Sequence, residues 1–171
     1  PVLGIAEEGR VIEDFEGTAS WTIKSAEALN LSVAEESGET KKGKASGKLD
    51  VNFAAAVSGA VNFAMPANSG EVPGISLWVR GDGGRCQLQF SLVTEDGGVF
   101  SLVKTIDDPE WTLLELPARE FVFNAFSGAP EDAARSLVPG SVKEFRISSY
   151  KGLESDTDRH SLFLDEIAIL P

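Results

Sequence analysis

Ile75-Ser76-Leu77-Trp78-Val79-Arg80 and Cys86-Gln87-Leu88-Gln89-Phe90-Ser91-Leu92 each alternate apolar with polar residues, and Gly81-Asp82-Gly83-Gly84 stands between them. A period of two sends successive side chains to opposite sides of a strand, so each run buries one face and offers the other to solvent or ligand. The pattern recurs at 100–103, 111–116 and 145–148. Turn chemistry separates these runs too: Glu95-Asp96-Gly97-Gly98 in one place, Asp107-Asp108-Pro109 in another. Alternating runs joined by an Asp-Gly turn predict antiparallel hairpins. Further runs at 11–15, 21–24, 29–34, 46–53, 60–65 and 161–170 bring the total to roughly ten or eleven short strands, a number typical of sandwiches and jelly rolls.

One stretch departs from this period. Pro130-Glu131-Asp132-Ala133-Ala134-Arg135-Ser136-Leu137 opens with Pro, carries acids in its first turn and is stopped by Pro139-Gly140. That order predicts one short helix within a late connection. Helices do not alternate with the strands, which excludes a doubly wound α/β fold. The fold class is therefore all-β: an antiparallel β-sandwich (jelly roll) with one short helix. A single module spans 11–171, and residues 1–10 read as a linker or edge segment.

Composition narrows the function. The chain has 171 residues, 15 Lys+Arg and 27 Asp+Glu, giving a net charge of −12. Such acidity opposes tracking of a phosphate backbone and attraction to an anionic membrane surface. No apolar run approaches the ~20 residues of a membrane-spanning helix. The start, Pro1-Val2-Leu3-Gly4-Ile5, lacks the basic region and cleavage pattern of a signal peptide. A single Cys, Cys86, forms no internal disulfide and no zinc motif, and its alternating surroundings make it a small buried hydrophobe. The single His, His160, follows Asp158-Arg159 and reads as a solvated residue at a loop-to-strand junction. Any Ser-His-Asp triad would pass through it, and no Gly-x-Ser-x-Gly elbow accompanies it. Paired-carboxylate chemistry is open on composition, though no motif indicates it.

The two ends of the chain are rich in carboxylates. Near the start stands Ile12-Glu13-Asp14-Phe15-Glu16-Gly17, with Trp21 shortly after, and the closing strand reads Leu162-Phe163-Leu164-Asp165-Glu166-Ile167. If the terminal strands pair, these acids converge. Solvated acids and a site for a hard cation such as Ca2+, which takes oxygen ligands including main-chain carbonyls, are both open readings. A Gly-rich segment, Lys42-Gly43-Lys44-Ala45-Ser46-Gly47-Lys48, could supply such carbonyls.

In order, Asp14-Phe15-Glu16 with Trp21, Gly43-Lys44-Ala45-Ser46-Gly47-Lys48-Leu49, Ile75 to Gly83, Trp111-Thr112-Leu113-Leu114-Glu115-Leu116-Pro117 and Leu164-Asp165-Glu166-Ile167 resemble the β-jelly-roll carbohydrate-binding modules of the galactose-binding-like superfamily. The likeness runs from about residue 11 to 170 and points to the family-11 type and the related complex I intermediate-associated protein group. It implies a structural Ca2+ clamping the N-terminal segment to the last strand. Glu16 and Asp165 match the side-chain ligands, the carbonyls near Gly43 and Lys44 match the loop contribution, and Asp14 is a weaker match. It also implies structural roles for Trp21 and Trp111, and a secreted or cell-surface protein that binds a polysaccharide or oligosaccharide, with a linked glycan-degrading catalytic domain as a partner.

The resemblance further implies a sugar-binding groove on one sheet, where rings stack on the apolar faces of a pyranose and polar side chains bond its hydroxyl rim. One Tyr and three Trp are few for such a groove. By alternation, Trp78 and Arg80 lie opposite Ile75, Leu77 and Val79; Gln87 and Gln89 lie opposite Leu88 and Phe90; Arg146 and Tyr150 lie opposite Phe145 and Ile147. A face of Trp78, Arg80, Gln87, Gln89, Arg146 and Tyr150 has the chemistry for a glycan, although alternation alone does not make those strands neighbours. The alternative is a structural or protein-interaction jelly roll that binds no glycan, which the scarcity of rings favours.

Overall fold

The computed structural model describes residues 10–35 and 39–171. Of the segment read as linker or edge, residues 1–9 lie outside the described residues, and Arg10 opens the first strand. In chain order the strands are β1 (Arg10–Glu13), β2 (Trp21–Lys24), β3 (Leu29–Ala34), β4 (Ser46–Asn52), β5 (Gly59–Ala64), β6 (Gly74–Arg80), β7 (Cys86–Thr94), β8 (Val99–Ile106), β9 (Thr112–Pro117), β10 (Val122–Phe123), β11 (Val142–Ser149) and β12 (Arg159–Ile169). They form two six-stranded antiparallel sheets. One runs β3-β4-β12-β6-β9 with β1 also on β12; the other runs β10-β8-β7-β11-β5-β2. The chain is a β-sandwich jelly roll.

The predicted alternation decides what lies between the sheets. Ile75, Leu77 and Val79 of β6 and Cys86, Leu88, Phe90 and Leu92 of β7 are all buried. Phe63, Phe90 and Phe145 stack in the middle, with ring centroids 6.1 Å apart in both the Phe63–Phe145 and Phe90–Phe145 pairs. Full burial of each such side chain contributes about 1.5–3 kcal/mol. Trp21 packs between Phe15 and Phe63, with centroids 5.5 and 6.5 Å away.

Two turns of similar composition do different things. The segment from Thr94 to Gly98 closes a true β7–β8 hairpin: Gly97 takes a φ of +84°, and the Asp96 carboxylate accepts from Thr94 Oγ1 at 2.6 Å and Gly98 N at 3.1 Å. The hairpin predicted across 81–84 does not form, because β6 and β7 belong to opposite sheets. That segment is an arch between layers, as is the 107–111 connection from β8 to β9, and Gly81 N donates to Asp108 O at 2.7 Å to tie the two arches together.

The helix predicted over 130–137 is also absent; the late connection holds only a 3-10 turn at Pro139–Ser141, and a second such turn lies at Ala118–Glu120. One turn does begin, with Ala133 N donating to Pro130 O at 3.1 Å. The next amide, Ala134 N, which a helix would direct to Pro130 O, instead donates to Asp96 Oδ2 at 2.8 Å. A short run with so costly a nucleus yields to that tertiary bond.

The termini meet as predicted. β1 and β4 lie end to end on the same edge of β12, with Leu164 opposite Gly47 and Ile167 opposite Glu13. Asp165 and Glu166 fall in the seam, where the register shifts against β6 and Glu166 takes a φ of +43°.

Candidate functional site

A groove of about 530 Å3 lies on the outer face of the β2-β5-β11-β7-β8 sheet. Register sets its floor. One cross-strand row runs Lys24, Ala60, Ser148, Gln89; the next runs Thr22, Asn62, Arg146, Ser91, Ser101. Arg146 donates from Nε to Asn62 Oδ1 at 2.7 Å and from Nη2 to Glu144 Oε1 at 2.9 Å, while the Ser91 and Ser101 hydroxyls lie 2.8 Å apart. Ser58 and Tyr150 close one end of the groove. The turn after β10 closes the other: Asn124 N donates to Val99 O, Phe126 N to Asn124 Oδ1 at 3.1 Å, and Ser127 Oγ to Asn124 O at 2.7 Å. Phe126 lines the groove and is 100% exposed. No Asp or Glu lines it, so the paired-carboxylate reading gains no residue there.

The six residues predicted to form one glycan face divide. Gln89, Arg146 and Tyr150 line the groove. Gln87 shares the β7 face with Gln89, but its Oε1 accepts from Glu154 N at 2.8 Å, which binds it to the segment after β11. Trp78 and Arg80 are on the outer face of the opposite sheet, a sandwich thickness away. There Lys41 Nζ sits 4.3 Å from the Trp78 ring centroid, and the Arg80 guanidinium lies 4.6 Å from Phe163 and 5.5 Å from Trp111. Alternation turned each side chain outward correctly, but the 81–84 arch carried the two runs into different sheets. The residues missed were Lys24, Asn62 and the 124–127 turn. Phe126 had a sequence signal of its own: it follows Phe121 and Phe123 but falls out of their period of two.

The carboxylates of the two ends converge on one loop. Glu16 Oε1 accepts from Lys44 N at 2.7 Å and Ala45 N at 2.9 Å; Asp165 Oδ2 accepts from Lys41 N at 2.9 Å and Lys42 N at 2.7 Å. Gly43 has a φ of +64°, and a Cβ there would come within 2.1 Å of Glu16 Oε1, so this close approach requires glycine. Asp14 only caps its own turn, accepting from Glu16 N at 3.0 Å. Asp165 is 1% exposed, and burial pushes its carboxyl above the ordinary value against the pull of the Lys42 and Lys41 amides. It has no cationic partner among the described residues, Lys42 Nζ being paired with Glu166 at 2.5 Å. A buried carboxylate without a counter-charge fits a cation. The donor set around it fits in part: among the described residues no three of His, Cys, Asp or Glu group as metal ligands.

His160 is not the solvated residue the sequence predicts. It is 4% exposed, with Nδ1 3.0 Å from both Asp82 oxygens and Nε2 2.7 Å from Ser155 Oγ and 3.2 Å from Thr157 Oγ1. The array has the outline of a triad, but its hydroxyls are engaged by main-chain carbonyls. Ser155 and Thr157 donate their hydroxyl protons to the carbonyls of Thr157 and Arg159, at 2.5 and 2.8 Å. Through its two nitrogens the ring holds the 154–158 segment to the 81–85 arch. Burial pushes the Asp82 carboxyl up, but the His160, Gly84 and Ser161 hydrogen bonds outweigh it and hold the group below the usual carboxylate range. Cys86 is buried as predicted, and burial, with Asp82 and Asp156 nearby, pushes its thiol up to about 12, far from a nucleophile.

No family model matches the chain, and no curated protein matches it by sequence. Solved structures do. The family 11 carbohydrate-binding module of the cellulosomal cellulase Lic26A-Cel5E of Clostridium thermocellum superposes with a TM-score of 0.68 at 16% identity, over 95% of this chain and 94% of that one. The Clostridium thermocellum family 11 module in complex with a β-1,3-1,4-mixed-linked tetrasaccharide gives 0.70 at 17%, over 94% of each. TmCBM61 in complex with β-1,4-galactotriose gives 0.55 at 14%, over 93% of this chain and 97% of that one. The chain shares the jelly-roll fold of these carbohydrate-binding modules over nearly its whole length.

Proposed function

We propose that this chain is a non-catalytic module that binds a polysaccharide or oligosaccharide along the groove over β5, β11 and β7. The observation that carries the reading is the groove's composition. A floor of Asn62, Gln89, Arg146 and Ser148 offers donors and acceptors, and two rings, Tyr150 and Phe126, stand at its ends. A fully exposed Phe forgoes about 1.5–3 kcal/mol of burial within its own fold, and a pyranose face would supply that burial from outside. Neighbours in the same fold that are in complex with an oligosaccharide support the same reading. Secretion or surface display, beside a linked glycan-degrading domain, is the setting in which it would act, raising the local concentration of a catalytic unit on its polymer.

The test is calorimetric titration with soluble glucans, xylans, mannans and galactans. Saturable binding to at least one, weakened by Phe126→Ala, is expected. No binding to any, together with a stable protein partner, would transfer the chain to the alternative of an interaction module.

Calcium belongs to the same proposal as a clamp on the seam. Glu16 and Asp165 would hold it, with carbonyls near Gly43 and Lys44 completing the shell and Asp14 at its margin. Bound there, Ca2+ would neutralise a buried carboxylate and fix the junction of β1, β4 and β12. Calcium should raise the melting temperature, chelation should reverse the gain, and Asp165→Asn should abolish the response. A transition that calcium and chelator leave unmoved would remove the clamp from the proposal and leave the groove untouched.

A further inference from the structure

We infer that the groove selects an anionic glycan, one carrying uronate carboxylates or sulfate esters, over its neutral counterpart; this rests on the glycan-binding reading above. The chain holds 27 acids against 15 bases, so a groove of average composition would carry more carboxylates than cations. The reverse is found: Lys24 and Arg146 line it, and no Asp or Glu does. Lys24 is exposed on the edge strand β2 and forms no ion pair among the described residues. Arg146 bonds Asn62 and Glu144 through Nε and Nη2, and a guanidinium has five N–H donors, so part of its fork is left for a ligand. Glu144 balances the Arg146 charge, which makes Lys24 the uncompensated one.

Position matters as much as sign. Lys24 stands one row along and two strands across from Arg146, about 12 Å at the usual strand spacing and rise. A short oligosaccharide resting on the floor would touch both. With only two rings on the groove, stacking supplies less than in a ring-lined site, and charged contacts gain weight in choosing the ligand. The net charge of −12 opposes a polyanion at long range. At physiological ionic strength, though, exposed charges beyond about 8 Å are screened, so the groups in contact with the ligand decide.

Two matched pairs test this by calorimetry at about 0.15 M and about 1 M NaCl: oligogalacturonate against its methyl ester, and a sulfated galactan oligosaccharide against its desulfated form. A neutral mixed-linked glucan serves as reference. Within at least one pair the acidic member should bind about threefold to fivefold tighter at the lower, physiological salt, the range of an exposed ion pair. High salt or Lys24→Gln should close that gap without lowering the melting temperature. The pair that responds identifies carboxylate or sulfate as the recognised group. Equal affinity within both pairs, or a gap that survives Lys24→Gln, would overturn the inference; if Phe126→Ala still weakened neutral binding, the proposed function would stand. Absence of binding to every glycan, with no effect of Phe126→Ala, would overturn both.

Discussion

The two sheets present outer faces built by the same alternation, yet only one is open. On the β6-β12 face the outward rings are already engaged: Trp78 lies under Lys41, and Phe163 and Trp111 lie beside Arg80. On the β5-β11-β7 face the outward residues are small and polar, and the rings stand at the ends of a groove. A face whose aromatics are satisfied within the molecule has little left for a ligand. The difference shows that ring content alone does not mark a binding face; what matters is whether the rings are already covered.

The comparison is broken most directly by exchanging the effects of two substitutions. Phe126→Ala should weaken glycan binding about tenfold, equivalent to ~1.4 kcal/mol, and leave unfolding within about 0.5 kcal/mol because the side chain touches little of its own fold. Trp78→Ala should do the reverse, leaving affinity unchanged in calorimetry and lowering stability in urea by about 1 kcal/mol through the lost Lys41 contact and its partial burial. If Trp78→Ala removed binding and Phe126→Ala did not, the assignment of faces would be inverted.

A smaller effect sharpens the contrast between the two Asp-Gly turns. The Asp96 carboxyl is held at about 2, first by the Thr94 hydroxyl and then by the Ala134 and Gly98 amides. Asp82 in the arch is also held below its ordinary value. A lowered folded pKa gives stability that is complete above the unfolded value of about 3.9 and fades as pH falls through the folded one. Thermal melts from pH 5 to 2 should therefore show a steep acid loss, flatter in both Asp96→Asn and Asp82→Asn. Wild-type-like acid slopes in both variants would show that these turns do not anchor through their carboxylates.

Much of this molecule is legible in its sequence, and the limit is physical. Strands such as 21–24 and 29–34 were readable because side-chain period is a local property. Sheet membership is not local: Gly81-Asp82-Gly83-Gly84 and Glu95-Asp96-Gly97-Gly98 look alike, and only the partners of Asp82, His160 and Ser161 on another strand make the first an arch. The 130–137 helix failed for the same reason, since a carboxylate 38 residues upstream of Ala134 took its amide. The predicted site inherited the error, keeping Gln89, Arg146 and Tyr150 and sending Trp78 and Arg80 to the far sheet. The junction of the termini was readable because Glu16 and Asp165 sit in segments whose pairing follows from closing the sandwich.

Amide chemical-shift changes during titration with a bound glycan test the central claim. They should cluster on β5, β11, β7 and the 124–127 turn, with Asn62, Gln89, Arg146 and Phe126 among the residues that move. Shifts concentrated instead on β6, β9 and β12 around Trp78 would contradict it.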